Sequence, residues 1–411
     1  MRILFISDSI YIPTGLAKVG RELSMGLAKK GHQIGYINLY HRKDSITHIP
    51  PGMICWFTNN NCYGSDVIDS AIIKFRPDIL ITIGDMWNFA YITDSNICRT
   101  RRLFQWCAYI SCDGEPFGGG IPPALVPVIE DVDIPIAYTD YAKEMILKSC
   151  HDSETRLRLK TIYHGVDASL FKPLDWEERR KLRAAYGIDD KLMFLTVCRN
   201  QSRKNIPEMF KAWKIFSAMD EARGNVIFWP HMYFNDPAGW KIGDLLEILK
   251  LRNNSIMYYN EVAYAPSEMH LISEIELVKL YQIADVFLLI SGEGFGLPTF
   301  EAMAANVPCI LLDYAASSEL GAGGRAELVP VNDSITWTGM HLTQRPIPDS
   351  ERIAEAMLKL YRNKNLRNDI ANKGHEFAVQ FTWERICDEW NDLLCRIEIP
   401  FLKPLELEMI A

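Results

Sequence analysis

ISGEGFGLPTFEAMA, Ile290 to Ala304, compresses a strand end, a glycine turn and a helix start into one short stretch. The run DVFLLI that leads into it is apolar on both alternations, as a strand buried on both faces should be. Gly294 and Gly296 permit positive φ and close backbone approach, and Pro298 suits the first position of a helix. A helix starting there turns free N–H groups, with its dipole behind them, towards a phosphate. Glu293 lies in the turn and Glu301 about one turn inside the helix; once ionised, both only accept hydrogen bonds, which suits hydroxyl-rich ligands. Hydroxyls at both ends of a diphosphate describe a nucleotide sugar, with ribose on one side and a hexose on the other. The plain alternative is a strand–turn–helix whose acids cap and solvate.

The pattern around this stretch extends in both directions. KLMFLTVC reads as a strand, NIPEMFKAWKIF as a helix, then NVIFWPHM and SIMYYNE as strands, with a helix through IELVKLYQIA and a strand in VPCILLDY. Such alternation predicts a parallel sheet with helices on both faces. The amino-terminal part reads the same way. RILFIS (Arg2–Ser7) is a strand, and after a Pro-Thr-Gly loop Leu16, Val19, Leu23 and Leu27 recur at helical spacing until Gly31. IGYINLY, DILITIGD (Asp78–Asp85), LFQWCAYISCD (Leu103–Asp113) and IPIAYTD (Ile134–Asp140) continue it. TIYHGVDASLFKP interrupts the alternation, placing a joint near residues 165–172. The fold class expected is α/β: two tandem Rossmann-like doubly wound domains, 1–168 and 169–385, with a helical tail, 386–411, crossing back to the first. The sequence from Ser350 onward is read as helical throughout. Ligands of such sheets bind outside the carboxyl ends of the strands, so chemistry is expected in a cleft between the domains.

Composition sets limits on partners. The 411 residues are 48% hydrophobic and 23% charged, ample for globular cores. No apolar run approaches the roughly 18 residues that span a bilayer, and Met1-Arg2 leads directly into a strand rather than a signal peptide. The ten cysteines include Cys107, Cys198 and Cys309 inside predicted strands and form no CxxC pair. The expectation is a cytoplasmic protein with buried free thiols. A net charge of -8 gives no push towards nucleic acid. The run Arg99–Arg102 is read as a solvated loop, with a phosphate contact as the alternative.

Beyond the strand KLMFLTVC, the loop CRNQSRKN (Cys198–Asn205) sends out Arg199 and Lys204 together, suited to a diphosphate. A surface-exposed basic loop is the alternative.

GEGFGLPTFEAMA resembles the E-x7-E signature of the retaining GT-B glycosyltransferases of family GT4. IYHGVDASLFKP is similar to that family's interdomain segment, VCRNQSRKN to its basic donor loop, and PTGLAKVGRELSMGLAKKGH to its amino-terminal glycine loop and helix. LVKLYQIADVFLLISGEGFG and FTWERICDEW fit as well, and the matches run in order from residue 3 to about 390. The resemblance implies a GT-B fold, a nucleotide-sugar donor such as a UDP- or GDP-sugar on the second domain, and a hydroxyl acceptor over the first. It implies that Glu293 contacts the donor sugar and that backbone amides around Phe295, Gly296, Leu297 and Thr299 meet sugar and phosphate. Glu301 would hold the ribose, Arg199 and Lys204 would neutralise the diphosphate, and Gly15 would let the first loop approach donor or acceptor. Neither a metal nor a cofactor is implied; attack is on the front face, with the departing phosphate helping to take the acceptor proton. In one place the chain departs from the family: where many members carry a histidine, CDGEP puts Asp113, with Glu115 nearby. Asp113 would then bond a sugar hydroxyl or orient the acceptor; a turn-capping role is the alternative.

The remaining candidates carry less. Asp131-Val132-Asp133 forms a DxD but sits in a helix-to-strand turn and reads as an acidic turn. His164 reads as structural, His231 as a possible ligand contact, and the histidines show no metal-ligand spacing. Trp87, Phe89 and Tyr91 suit either stacking on a ligand or core packing. The acceptor is expected to be a saccharide or glycolipid precursor, with a modified nucleic-acid base as an alternative not indicated by the charge. A nicotinamide-dependent oxidoreductase is disfavoured, because PTGLAKVG is not GxGxxG and Asn38 stands where an acid belongs. A binding protein that has lost catalysis is another rival, and the intact Glu293, Glu301, Arg199 and Lys204 argue against it; a phosphorylase or epimerase on the same fold is a third, which product analysis would separate.

Overall fold

The computed structural model describes residues 1–40, 49–59, 62–251, 255–259, 272–336 and 342–397. Contacts divide the chain into two compact units, Met1–Gly165 with Trp383–Ala411, and Val166–Thr382. The first division falls three residues before the expected 168/169, and the second three residues before 385/386.

In the first unit β1 (Arg2–Asp8), β2 (Gln33–Leu39), β3 (Met53–Phe57), β4 (Ile79–Gly84), β5 (Gln105–Ile110), β6 (Ile134–Ala137) and β7 (Lys160–Thr161) form a parallel sheet ordered β3-β2-β1-β4-β5-β6-β7. β4 and β6 are buried along their whole length, which is why they read as unbroken apolar runs. β6 stops at Ala137, short of the expected Asp140, because Thr139 turns to cap the next helix through Ala142 N. The helix Gly15–Lys29 is capped by Thr14, whose hydroxyl accepts from Ala17 N at 3.2 Å. The helix Trp383–Cys395 belongs to this unit and packs on Gly15–Lys29. Gly26 allows the approach: a Cβ there would stand 2.2 Å from Cys387 Sγ. His32 and Asn391 (2.9 Å) and an ion pair between Lys30 and Asp388 close the same contact.

The run Arg99–Arg102 is not the solvated loop expected. Arg101 is buried and bonds Asp131 and Asp133, each at 3.1 Å, so the DxD carboxylates neutralise an arginine of their own unit. The side chain of Arg102 lies outside the described residues. Phe89 packs in the core and Tyr91 donates to Tyr63 O at 3.0 Å, so both have packing roles.

In the second unit β8 (Leu192–Val197), β9 (Val226–His231), β10 (Val286–Leu289), β11 (Cys309–Leu312) and β12 (Ala326–Val329) are parallel in the order β12-β11-β10-β8-β9. SIMYYNE contributes a bridge rather than a strand: Phe228 exchanges bonds with Ser255 O (2.8 Å) and Met257 N (2.9 Å), and the residues from Asn260 lie outside those described. Each sheet therefore reverses its strand order once, between β1 and β4 and between β8 and β10. That reversal is where open α/β sheets bind ligands.

An antiparallel hairpin, β13 (Val331–Thr336) with β14 (Gln344–Pro348), was not anticipated. The tail is three helices rather than one continuous run: Ser350–Arg362, Lys364–Ala378 and Trp383–Cys395. Asn363 breaks the first pair and caps the second helix through Leu366 N at 2.9 Å. Among the described residues no helix is long and apolar enough to cross a membrane.

Candidate functional site

The strand-order reversal of the second unit brings two loops side by side, one leaving β8 and one leaving β10. Asn205 fixes their spacing. It starts the helix Ile206–Ser217 from the left-handed conformation (φ 51°), and its amide donates to Ile290 O (3.1 Å) and Pro346 O (2.9 Å). The loop from β8 is further pinned by Asn200, which donates to Trp240 O at 2.7 Å and accepts from Trp240 N at 2.9 Å.

Across this junction the Lys204 ammonium donates to Glu293 Oε1, and Ser291 Oγ donates to the same oxygen at 2.5 Å. Both charged side chains are buried, Lys204 to 6% exposure and Glu293 to 7%. Burial pushes the Glu293 carboxyl up, but the Lys204 and Arg203 charges outweigh it and hold the group below the usual carboxylate range. Burial, reinforced by Arg203, lowers the Lys204 ammonium, and Glu293 resists the shift. Arg203 Nη1 donates to Gly292 O at 3.1 Å, adding a second cation beside the turn.

Gly296 takes φ 97° at the start of the helix Leu297–Ala304, a conformation that glycine alone adopts without strain. No side chain caps that helix start. Thr299, in its first turn, is 1% exposed and its Oγ1 has no hydrogen-bond partner. Phe295 turns its ring inward onto Phe300, with centroids 5.1 Å apart, which leaves its backbone to form the turn. On the inner side of the helix, Tyr281 OH donates to Glu301 Oε2 at 3.0 Å.

Seven of the residues singled out from sequence thus gather on this junction: Lys204, Glu293, Phe295, Gly296, Leu297, Thr299 and Glu301. Arg199 is held by Asp236 Oδ2 at 2.7 Å, so the two basic residues expected to act together have different partners. Gly15 and Asp113 belong to the first unit, at the carboxyl ends of β1 and β5 with β4 between them. Nearby, Thr14 donates to Asp8 Oδ2 at 2.5 Å and Ser111 to Asp85 Oδ1 at 3.2 Å. His231 is buried at the end of β9 and burial pushes it down to about 4. Sequence reading missed Ser291, Arg203 and Tyr281. Of these, Tyr281 left a signal, as a tyrosine on the buried side of the helix preceding DVFLLI. Among the described residues no group of three or more His, Cys, Asp or Glu could hold a metal ion.

Residues 266–377, which include this turn, match the family model described as glycosyl transferases group 1. The sucrose-phosphate synthase of Thermosynechococcus elongatus superposes with a TM-score of 0.72 at 16% identity, over 96% of this chain and 98% of its own. HepE of Anabaena, solved with UDP-glucose, gives 0.69 at 15% identity over 97% and 100%. The trehalose-6-phosphate protein of E. coli, bound with UDP-2-fluoro glucose, gives 0.69 at 13% over 97% and 100%. An exopolysaccharide phosphotransferase of Streptomyces coelicolor is 26% identical over 169 residues, which is 39% of this chain and spans only 16% of that relative. The structural neighbours establish the fold as GT-B, and residues 266–377, with the turn that opened the sequence, match a glycosyl transferases group 1 domain.

Proposed function

We propose that the protein is a retaining, metal-independent hexosyltransferase of family GT4 that moves a sugar from a nucleoside diphosphate sugar to a hydroxyl of a saccharide or glycolipid precursor. The observation that carries this reading is the junction of β8 and β10. It sets an uncapped helix start with an unpartnered buried Thr299 hydroxyl between two acids, Glu293 and Glu301. The diphosphate takes the helix start, Glu293 the sugar hydroxyls and Glu301 the ribose. Tyr281 holds one oxygen of Glu301 and so turns the carboxylate towards the ribose diol. Positive charge for the leaving diphosphate comes from Lys204 and Arg203, with Arg199 serving it only on release from Asp236. Stabilising a charge that grows as the glycosidic bond breaks is the largest single lever such a site has.

On the acceptor side, Asp113 of the first unit orients the incoming hydroxyl and Gly15 leaves room for it. The departing phosphate takes the acceptor proton, so this route needs no second carboxylate spaced for a covalent intermediate. Cys98, Cys107, Cys150, Cys309 and Cys387 are buried free thiols, which suits work in the reducing cytoplasm. The test is a panel of UDP-, GDP- and ADP-sugars, read by thermal shift and by slow donor hydrolysis without acceptor. One sugar nucleotide should raise the melting temperature and be cleaved; a folded protein that responds to none of them would refute the reading.

A further inference from the structure

We infer that the buried Lys204–Glu293 pair makes the donor site select a nucleoside diphosphate that carries its sugar over the bare nucleoside diphosphate. This rests on the nucleotide-sugar reading above and goes beyond it, because it couples two contacts which that reading treats as independent. The cation meant for the phosphate and the acid meant for the sugar are bonded to each other across the junction. Both are buried, and Glu293 Oε1 has Ser291 as its second donor at 2.5 Å. The main chain cannot yield to part them, since Asn205 ties the loop of Lys204 to Ile290 O and Pro346 O. Arg203 donates to Gly292 O and adds its charge beside Glu293, while Arg199 is paired with Asp236, so Lys204 is the cation bonded to the Glu293 carboxylate in the pair described.

A diphosphate seated at the helix start beside Thr299 therefore draws the Lys204 ammonium away from Glu293. A buried carboxylate deprived of its bonded cation is strongly unfavourable, and the Ser291 hydroxyl together with the Arg203 charge offsets only part of that. A sugar still attached to the diphosphate brings hydroxyls that donate to Glu293 and restore its bonds. The bare nucleoside diphosphate brings the negative charge without those donors. Product is thereby expelled while intact donor is admitted.

The experiment is calorimetric titration of wild type, Glu293→Gln, Lys204→Met and the double variant with UDP, UDP-glucose, GDP, GDP-mannose, ADP and ADP-glucose. The double variant leaves no buried charge unpaired, so it reports even if a single variant folds poorly. For the base that binds, wild type should prefer the sugar-bearing form. Glu293→Gln should tighten the bare diphosphate about tenfold and weaken the sugar nucleotide, and its effect on the bare diphosphate should vanish when Lys204 is also replaced. Equal tightening with and without Lys204 would mean simple removal of a negative charge, and no tightening would mean no coupling; either result overturns the inference. If no sugar nucleotide binds folded wild-type protein, the donor-site reading fails and takes this inference with it. If one binds and the cycle is additive, this inference alone fails.

Discussion

Glu293 is bonded twice before any ligand arrives, and that changes what its removal should do. Glu293→Ala leaves the Lys204 ammonium buried without a counter-charge, so urea unfolding of that variant should show a loss of about 3–5 kcal/mol. Glu293→Gln keeps a neutral partner and should lose clearly less. Sugar transfer should fall about a hundredfold or more in both; a Gln variant with wild-type turnover would remove Glu293 from the site. Tyr281→Phe tests the other acid. It deletes one hydrogen bond to Glu301, worth about 1 kcal/mol, so KM for the sugar nucleotide should rise several-fold while kcat holds. At this scale the sequence was informative wherever geometry is local. Gly296 and Pro298 encode the turn and helix start by themselves. The Lys204–Glu293 bond was not legible, because it depends on β8 and β10 being neighbours, and strand order is settled by packing between distant segments. The same limit hid Arg101: its partners Asp131 and Asp133 lie some thirty residues away, and a basic run read alone looks solvated.

Among the elements, the helices declared themselves by their spacing, whereas the hairpin did not. VNDSIT and QRPIP carry Asn, Asp and Pro, residues depleted in strands. Their ladder forms because each pairs with the other and Tyr314 OH anchors Gln344 O at 3.2 Å. SIMYYNE shows the opposite error. Its composition favours a strand, yet only Ile256 bridges to Phe228 within the described residues. The contact of helix Gly15–Lys29 with helix Trp383–Cys395 offers a test of packing. Gly26→Ala places a methyl against Cys387 Sγ and should destabilise by about 1–3 kcal/mol, read as a lower melting temperature. Cys387→Ala should recover most of that loss in the double variant and little on its own. Additive effects would mean that the two helices do not meet at Gly26.

For the whole molecule, two buried histidines set the acid limit. His164 accepts no proton until about pH 3 and His231 until about 4, both held down by burial from the ordinary 6.5. His164 lies in the first unit, 2.8 Å from Tyr109 OH, and His231 in the second. The unfolded chain binds these protons below about pH 6.5 and the folded chain refuses them, so acid favours unfolding. Each histidine should cost about 1.4 kcal/mol per pH unit over the window between its two values. Stability should be level from pH 7 to 8 and fall from 6.5 towards 4, followed by urea midpoints. His164→Gln should flatten the decline of the first unit and His231→Gln that of the second; unchanged slopes would show that both rings are protonated when folded. The two-unit plan was visible in the sequence, because it rests on repeated alternation of strand and helix. The joint falls at the start of the expected 165–172 stretch, and nothing in IYHGVDASLFKP marks which residue is the last to pack on either side. The amide of Val166 bonds Phe381 O at 2.8 Å, and a Cβ on Gly165 would strike Trp383 Cα at 2.7 Å, so the chain departs and returns at adjacent points. The order of synthesis follows from that. A ribosome begins the first unit, makes the whole of the second, and only then supplies Trp383–Cys395, whose Trp390 packs on Tyr109 at 5.0 Å. The second unit is continuous and can finish folding first. The half of the protein that is translated earliest is therefore the one completed last, and it waits with an apolar face uncovered until the final helix emerges.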